Sequence, residues 1–200
     1  MTSTLLQGFL LGFSIAAPVG PIGVLCIRRT LADGRLAGFL SGLGAATADM
    51  VYGAIAAYGL TAIMDGLVSA QFWLRAGGGL FLLYLGIRTF LAKPASESTP
   101  TRSTGLVAAY ASTFLLTIAN PMTILSFLGV FSALLPPDGA FSPLRLIVGV
   151  FLGSAFWWLA LSGLVGIVRE KFTPAWMQWV NRISGAIIIA FAILTLAKLA

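Results

Sequence analysis

The chain has 200 residues, of which 58% are hydrophobic and only 9% are charged. A soluble domain carries about 25% charged residues, so this composition excludes an ordinary water-facing surface. The net charge of +6 would suit nucleic-acid binding, but the basic residues lie in short segments between apolar runs, where membrane topology places them. The sequence therefore predicts a membrane protein whose surroundings are the lipid bilayer, with no nucleic-acid partner.

Residue types that support redox and metal chemistry are scarce. Cys26 is the one cysteine, which forbids an internal disulfide, and the chain has no histidine to act as a general base or metal ligand. The N-terminal apolar run has no preceding Lys or Arg, as a signal peptide would, so we interpret it as a permanent span. We therefore expect no enzymatic activity, no cofactor and no metal site.

Six apolar segments follow one another along the chain, each long enough to cross a bilayer as a helix of about 20 residues. Continuous apolar runs favour helices over the alternating strands of a barrel. The predicted spans are residues 4–27, 36–63, 71–92, 105–135, 144–168 and 178–198. A Ser-, Thr- and Pro-rich linker, residues 93–104, separates a first three-helix repeat, residues 1–92, from a second, residues 105–200. The predicted fold is an all-α polytopic membrane protein.

The distribution of basic residues predicts an orientation for these spans. Nine lie around the first, third and fifth loops: Arg28, Arg29, Arg35, Arg88, Lys93, Arg102, Arg169, Lys171 and Arg182. Three lie on the other side: Arg75, Arg145 and Lys198. Because cytoplasmic loops collect Lys and Arg, the first set is predicted to be cytoplasmic, and both termini are predicted to face outward.

The two halves carry matching motifs in the same order. Gly20-Pro21 corresponds to Asn120-Pro121, Gly38-x-x-x-Gly42 to Gly149-x-x-x-Gly153, and Trp73 with Gly79 to Trp179 with Gly185. Since each half has three spans, an odd number, the second half must enter the membrane inverted relative to the first. Inverted repeats of this kind are typical of secondary transporters.

Prolines are predicted to break spans one and four at corresponding positions. The first break contains Pro18, Gly20, Pro21 and Gly23, and the second contains Asn120 and Pro121. Proline removes a backbone donor and disfavours helical geometry in the residue before it. Such breaks are tolerated only inside the protein or beside a wet cavity, and the N-terminus of each second half-helix suits a carboxylate. The alternative is that the prolines merely kink two helices for packing.

Asp49 is an acidic residue near the centre of span two, surrounded by apolar and small residues. A charged side chain at the bilayer centre costs about 2.5–3.5 kcal/mol even on insertion scales, and such residues usually mark ion or substrate pathways. The alternative is a protonated Asp49 that makes a structural hydrogen bond to a neighbouring helix. We expect it to bind substrate or to couple transport to protons.

Residues 18–25, Asp49 and Asn120-Pro121 make the chain resemble the LysE/RhtB family of bacterial amino-acid exporters, and the resemblance extends over nearly the whole length. It implies a multi-pass protein of the bacterial plasma membrane that exports an amino acid or a derivative by proton antiport. The implied substrate-binding residues are Pro18, Gly20, Pro21, Gly23, Asp49, Asn120 and Pro121, with Asp49 also as the proton-coupling residue. One departure is that many members have Asn or Gln after Gly-Pro, whereas this chain has Ile22.

Three other functions compete with amino-acid export. They are a metal-ion exporter of related architecture, a membrane-embedded enzyme and a non-transporting scaffold. Hard cations are bound by several oxygen ligands, and Asp49 is the only strong candidate for such a ligand near the centre of a predicted span. The sequence leaves the identity of the substrate and the oligomeric state open.

Overall fold

A computed structural model describes residues 2–18, 20–58, 66, 69–92, 105–120, 123–124, 126–127, 142–168 and 173–197. Within these residues the regular structure is helical throughout. Seven helices follow in chain order: α1 (Thr2–Ala16), α2 (Pro21–Asp33), α3 (Arg35–Ala57), α4 (Gln71–Phe90), α5 (Leu106–Ile118), α6 (Pro143–Val168) and α7 (Pro174–Ala197). The predicted all-α class is therefore confirmed for the described part of the chain.

Length and composition identify the membrane-spanning candidates. Helices α3, α6 and α7 are each long and apolar enough to cross a membrane, and α1 and α2 together qualify as a bent pair. Helix α5 is a shorter apolar helix. The arrangement of six spans in two inverted repeats remains a prediction, and the proposed linker, residues 93–104, lies outside the described residues.

The outward surface of these helices is apolar, which suits lipid contact. Val107 and Trp73 are 82% and 74% exposed, and Leu152, Leu164 and Ile193 also project outward. Exposed apolar surface of this extent is unusual in a soluble monomer. The distribution agrees with a membrane protein whose polar groups face inward.

Close backbone packing places α1 against α6. A Cβ atom added at Gly12 would lie 2.0 Å from the carbonyl oxygen of Val150, and one at Gly153 would lie 1.9 Å from that of Phe9. Glycines allow two helix backbones to approach this closely. Helix α3 packs against both α5 and α6, while α4 packs against α7, so α3 lies among helices from both halves of the chain.

A single residue, Gly34, joins α2 to α3. Its φ of 98° lies in the left-handed region that favours glycine, and its N–H donates to the carbonyl oxygen of Thr30. Helix α2 therefore continues to Asp33, beyond the predicted end of span one. Arg28 and Arg29, predicted to lie around the first loop, are in the last two turns of α2 and not in the loop itself, and hydrogen bonds join both to neighbouring helices.

Candidate functional site

The first span is interrupted where its prolines predict. Helix α1 ends at Ala16 and α2 begins at Pro21, and the two helix axes meet at an angle of 82°. Gly20 has extended backbone and its carbonyl accepts the N–H of Val24, so it forms the N-terminal boundary of α2. Because Val24 donates the first of the helical hydrogen bonds, the N–H groups of Ile22 and Gly23 have no acceptor within α2, and both residues line the break.

A second break follows α5, inside the predicted fourth span. Helix α5 ends at Ile118, and the carbonyl of Asn120 accepts the N–H groups of Thr123 and Ile124 at 3.1 and 3.3 Å. Helical structure is therefore present again at Thr123 and Ile124, beyond the break. Pro121 lies outside the described residues, so its placement in the site stays a prediction.

Both breaks face one cavity with a volume of about 80 Å³. Its described lining consists of Ile15, Ala16, Pro18, Gly20, Pro21, Ile22, Gly23, Ala45, Asp49, Thr117, Asn120, Thr123 and Trp158. Six of the seven predicted site residues thus meet around a single space, although they come from three separate stretches of sequence. A lining that contains a carboxyl, an amide, two hydroxyls and the first backbone N–H groups of α2 is polar enough to hold a charged ligand or water.

Asp49 is 3% exposed and lies on the wall of this cavity formed by α3. Ser154 on α6 donates its hydroxyl to Asp49 Oδ2 at 2.7 Å, and Trp158 Nε1 donates to Ser154 Oγ at 3.2 Å. Indole N–H can only donate, so Ser154 accepts from Trp158 and its own hydrogen points at Asp49. Within the described residues, no cationic side chain forms an ion pair with Asp49.

Tyr52, one turn after Asp49 on α3, connects the two sides of the break that follows α5. Its hydroxyl donates to the carbonyl oxygen of Ile118, in the last turn of α5. Its ring stacks on Phe127, beyond the break, with ring centroids 5.6 Å apart. The side chain therefore links the geometry of the second break to the helix that carries Asp49.

Sequence reasoning did not identify Ser154, Tyr52, Thr117 or Thr123 as part of this site. Each is an ordinary residue type in an apolar helix, and its role depends on which helix packs beside it. Periodicity offers one weak signal, because Ser154 and Trp158 are four residues apart and therefore share a face of α6. Within the described residues, no three His, Cys, Asp or Glu side chains lie close enough to hold a metal ion.

Comparison with known proteins shows that residues 13–198 match the family described as LysE type translocator. The chain is 28% identical over 195 residues to a Bacillus subtilis (strain 168) protein named "Putative amino acid efflux protein YcgF", which covers 93% of this chain and 91% of that protein. It is 31% identical over 176 residues to an Escherichia coli (strain K12) protein named "Uncharacterized membrane protein YahN", covering 84% of this chain and 77% of that protein. No solved structure matches the chain.

Proposed function

Because this chain belongs to the LysE type translocator family, we propose that it exports an amino acid or an amino-acid derivative across the bacterial plasma membrane in exchange for protons. The observation that carries the proposal is the meeting of two helix breaks and a buried carboxyl around one cavity. The name of the Bacillus subtilis relative, which refers to amino acid efflux, supports the same class of substrate.

The two ends of an amino acid would find complementary groups in the cavity. The carboxyl of Asp49 would bind the ammonium group, since it has no cationic partner among the described residues. The N–H groups of Ile22 and Gly23, which have no acceptor among the described residues, would bind the carboxylate at the N-terminus of α2, helped by the helix dipole. Asn120, on the opposite break, adds an amide that can orient either group.

The volume of the cavity favours a small substrate. A water molecule needs about 10–15 Å³ on this measure, so 80 Å³ corresponds to about five to eight waters. An amino acid with a short side chain is of similar size. Ile22 and Ala45 make part of the wall apolar, so a short aliphatic side chain would fit better than a charged one.

Proton coupling would operate through Asp49. A buried carboxyl favours its neutral form, and a nearby cation favours its charged form. In this cycle the arriving ammonium group displaces the proton of Asp49 toward the cytoplasm. After the substrate leaves on the outer side, a proton from outside takes its place. Export of substrate and entry of protons would then be obligatorily linked at one side chain.

The proposed inverted repeat is supported by the packing of α4 on α7. The motif glycines contact each other's helix: a Cβ at Gly79 would meet the side chain of Leu196, and one at Gly185 would meet Phe90. The motif residues Trp73 and Trp179 are both exposed. Equivalent residues in equivalent surroundings are what two related halves would produce.

The predicted orientation can be tested by labelling with a membrane-impermeant thiol reagent. We expect Ser98→Cys to be labelled only after cells are permeabilised, because the linker is predicted to be cytoplasmic. The matched Ser69→Cys variant, between spans two and three, should be labelled in intact cells. The native Cys26 is buried and should contribute little background. Labelling of Ser98→Cys in intact cells would show that the linker faces outward and that the orientation is the opposite of the predicted one.

The substrate class can be tested by counterflow in proteoliposomes that contain the purified protein. The panel comprises amino acids of increasing size, their amides and esters, and divalent metal ions. We expect exchange of small zwitterionic amino acids above the rate in protein-free liposomes. Exchange of metal ions without exchange of any amino acid would favour the metal exporter instead and refute this proposal.

A further inference from the structure

A second, smaller cavity, here called the side cavity, lies next to the central one. Its volume is about 20 Å³. Its described lining comes from α2, α4, α5, the break after α5, and α7, and consists of Pro21, Ile22, Gly78, Leu82, Leu116, Ala119, Asn120 and Thr195. Pro21, Ile22 and Asn120 also line the central cavity, so these three residues lie at the boundary between the two spaces.

The side cavity is mostly apolar. Its described lining consists of hydrocarbon side chains except at Gly78, which has none, and at Asn120 and Thr195. The hydroxyl of Thr195 already donates to the backbone carbonyl of Phe191 on its own helix, at 2.8 Å. Two polar side chains, one of them engaged in this way, are a poor match for the about three hydrogen bonds that a buried water makes. The space therefore suits a hydrocarbon group better than water or a charge.

Gly78 keeps the side cavity open. A Cβ atom added there would lie 3.2 Å from the Cβ of Ala119, which is also in the lining, and would therefore occupy the space. The neighbouring glycines have different surroundings: a Cβ at Gly77 would meet no atom of the described residues within 4 Å, and one at Gly79 would meet Leu196 of α7. Helix α4 packs closely on α7 and only loosely on α5, and the side cavity lies on the loosely packed side.

The side cavity has the size of about one methyl group. A single water needs about 10–15 Å³ on this measure, and a methyl group is slightly larger than a water molecule. A side chain that starts in the central cavity would reach this space past Ile22, which is itself apolar and buried. The presence or absence of one methylene group in a hydrophobic pocket changes discrimination between substrates by about 10- to 200-fold, so even a cavity of this size can determine specificity.

We propose that the side cavity is a subsite for the end of the substrate's side chain, so that the exported compound is an amino acid with an aliphatic side chain longer than that of alanine. This inference rests on the proposed function. The ammonium and carboxylate groups stay in the central cavity, with Asp49 and the start of α2, while the side chain passes Ile22 and ends beside Gly78 and Leu82. Gly78 is then a specificity-determining residue, because any side chain there would take the place of the substrate's last methyl group.

The test compares Gly78→Ala with Gly77→Ala in proteoliposomes. Both substitutions add one methyl group to α4; the first places it in the side cavity, whereas the second meets no atom of the described residues. Counterflow of an amino acid exchanged by the wild-type protein is competed with alanine, valine, leucine and threonine. Threonine has the shape of valine with a hydroxyl group in place of one methyl group. The second measurement is the Tm of each purified variant without substrate.

We expect the wild-type protein to prefer valine to alanine and to threonine. Gly78→Ala should raise the half-inhibitory concentration of valine by about 10-fold or more and leave that of alanine unchanged. Its Tm should stay close to that of the wild type, because the better helix propensity of alanine offsets the tight contact with Ala119. Gly77→Ala should leave the ratio of the two concentrations unchanged. Leu82→Ala enlarges the side cavity and should lower the half-inhibitory concentration of leucine relative to that of valine.

An unchanged ratio of valine to alanine in Gly78→Ala would overturn the proposal, and the side cavity would be a gap in the packing. Equal half-inhibitory concentrations of valine and threonine in the wild-type protein would also overturn it, because the cavity would then accept a polar group. If Gly78→Ala does not fold, Leu82→Ala decides, and a wild-type ratio of leucine to valine in that variant overturns the subsite. Failure of the proposed function has a different signature, because the wild-type protein itself would then exchange no amino acid.

Discussion

Asparagine at position 49 would remove one negative charge from the cavity while keeping the size of the side chain. Its Oδ1 can still accept the hydroxyl of Ser154, which lies 2.7 Å from Asp49 Oδ2, and Trp158 keeps its acceptor on Ser154. No buried polar group loses its partner. Asp49→Asn should therefore fold and insert like the wild type, and its effects on transport can be interpreted directly.

The size of the effect distinguishes two roles of Asp49. If the carboxylate binds the substrate's ammonium group, removal of one member of a buried charge pair costs about 2–5 kcal/mol. At about 1.4 kcal/mol per tenfold, the substrate affinity should fall by at least about 30-fold. If Asp49 only carries the proton, affinity should change little, because asparagine keeps the hydrogen bond but cannot titrate.

Two assays in the same proteoliposomes separate these outcomes. Counterflow at equal internal and external pH measures substrate-for-substrate exchange, whereas an imposed pH gradient measures proton-driven accumulation. A binding role predicts that both fall, and a pure coupling role predicts that only accumulation is lost. Asp33→Asn, the same chemical change at the end of α2 and outside the cavity lining, serves as the control and should preserve both activities.

The refuting result is normal accumulation by Asp49→Asn under a pH gradient. Neither substrate binding nor proton coupling at Asp49 could then stand. The residue would be a structural hydrogen-bonding partner of Ser154, and the coupling site would have to be sought elsewhere in the chain.

Three further substitutions test the geometry of the site. Ser154→Ala should reduce the initial rate of counterflow several-fold, because Asp49 and Trp158 both lose a hydrogen-bonding partner. Ser162→Ala, two turns away on α6, is the control and should leave that rate unchanged. Gly20→Ala should fold normally, since no atom of the described residues lies within 4 Å of its added Cβ, but should exclude the larger amino acids of a counterflow panel. Gly153→Ala should destabilise the protein by about 1–3 kcal/mol, because its Cβ would overlap the Phe9 carbonyl. Gly163→Ala is the control: its Cβ would meet no atom of the described residues, so the Tm should stay unchanged or rise. Equal Tm values for the last two variants would contradict the close packing of α1 and α6.

Several features of the protein could be predicted from the sequence because they depend on local chemistry. Membrane insertion follows from runs of apolar residues that match the thickness of a bilayer, wherever the helices later pack. The break at Pro18 and Pro21 follows from the missing N–H groups and ring clashes of proline. Asp49 is recognisable because a carboxyl in an apolar span is costly and therefore uncommon.

Other features were decided only by tertiary structure, because they depend on which helices become neighbours. Ser154 is separated from Asp49 by 105 positions and meets it only because α6 packs on α3. Arg29 was predicted beside a loop, since the charge rule counts arginines without knowing their partners, yet acceptors on α3 and α5 stabilise it inside the bundle. A local sequence pattern specifies where a helix runs and where it breaks. The hydrogen bonds that complete the site join side chains that are far apart in the sequence, and nothing in the sequence near either residue indicates that the two will be in contact.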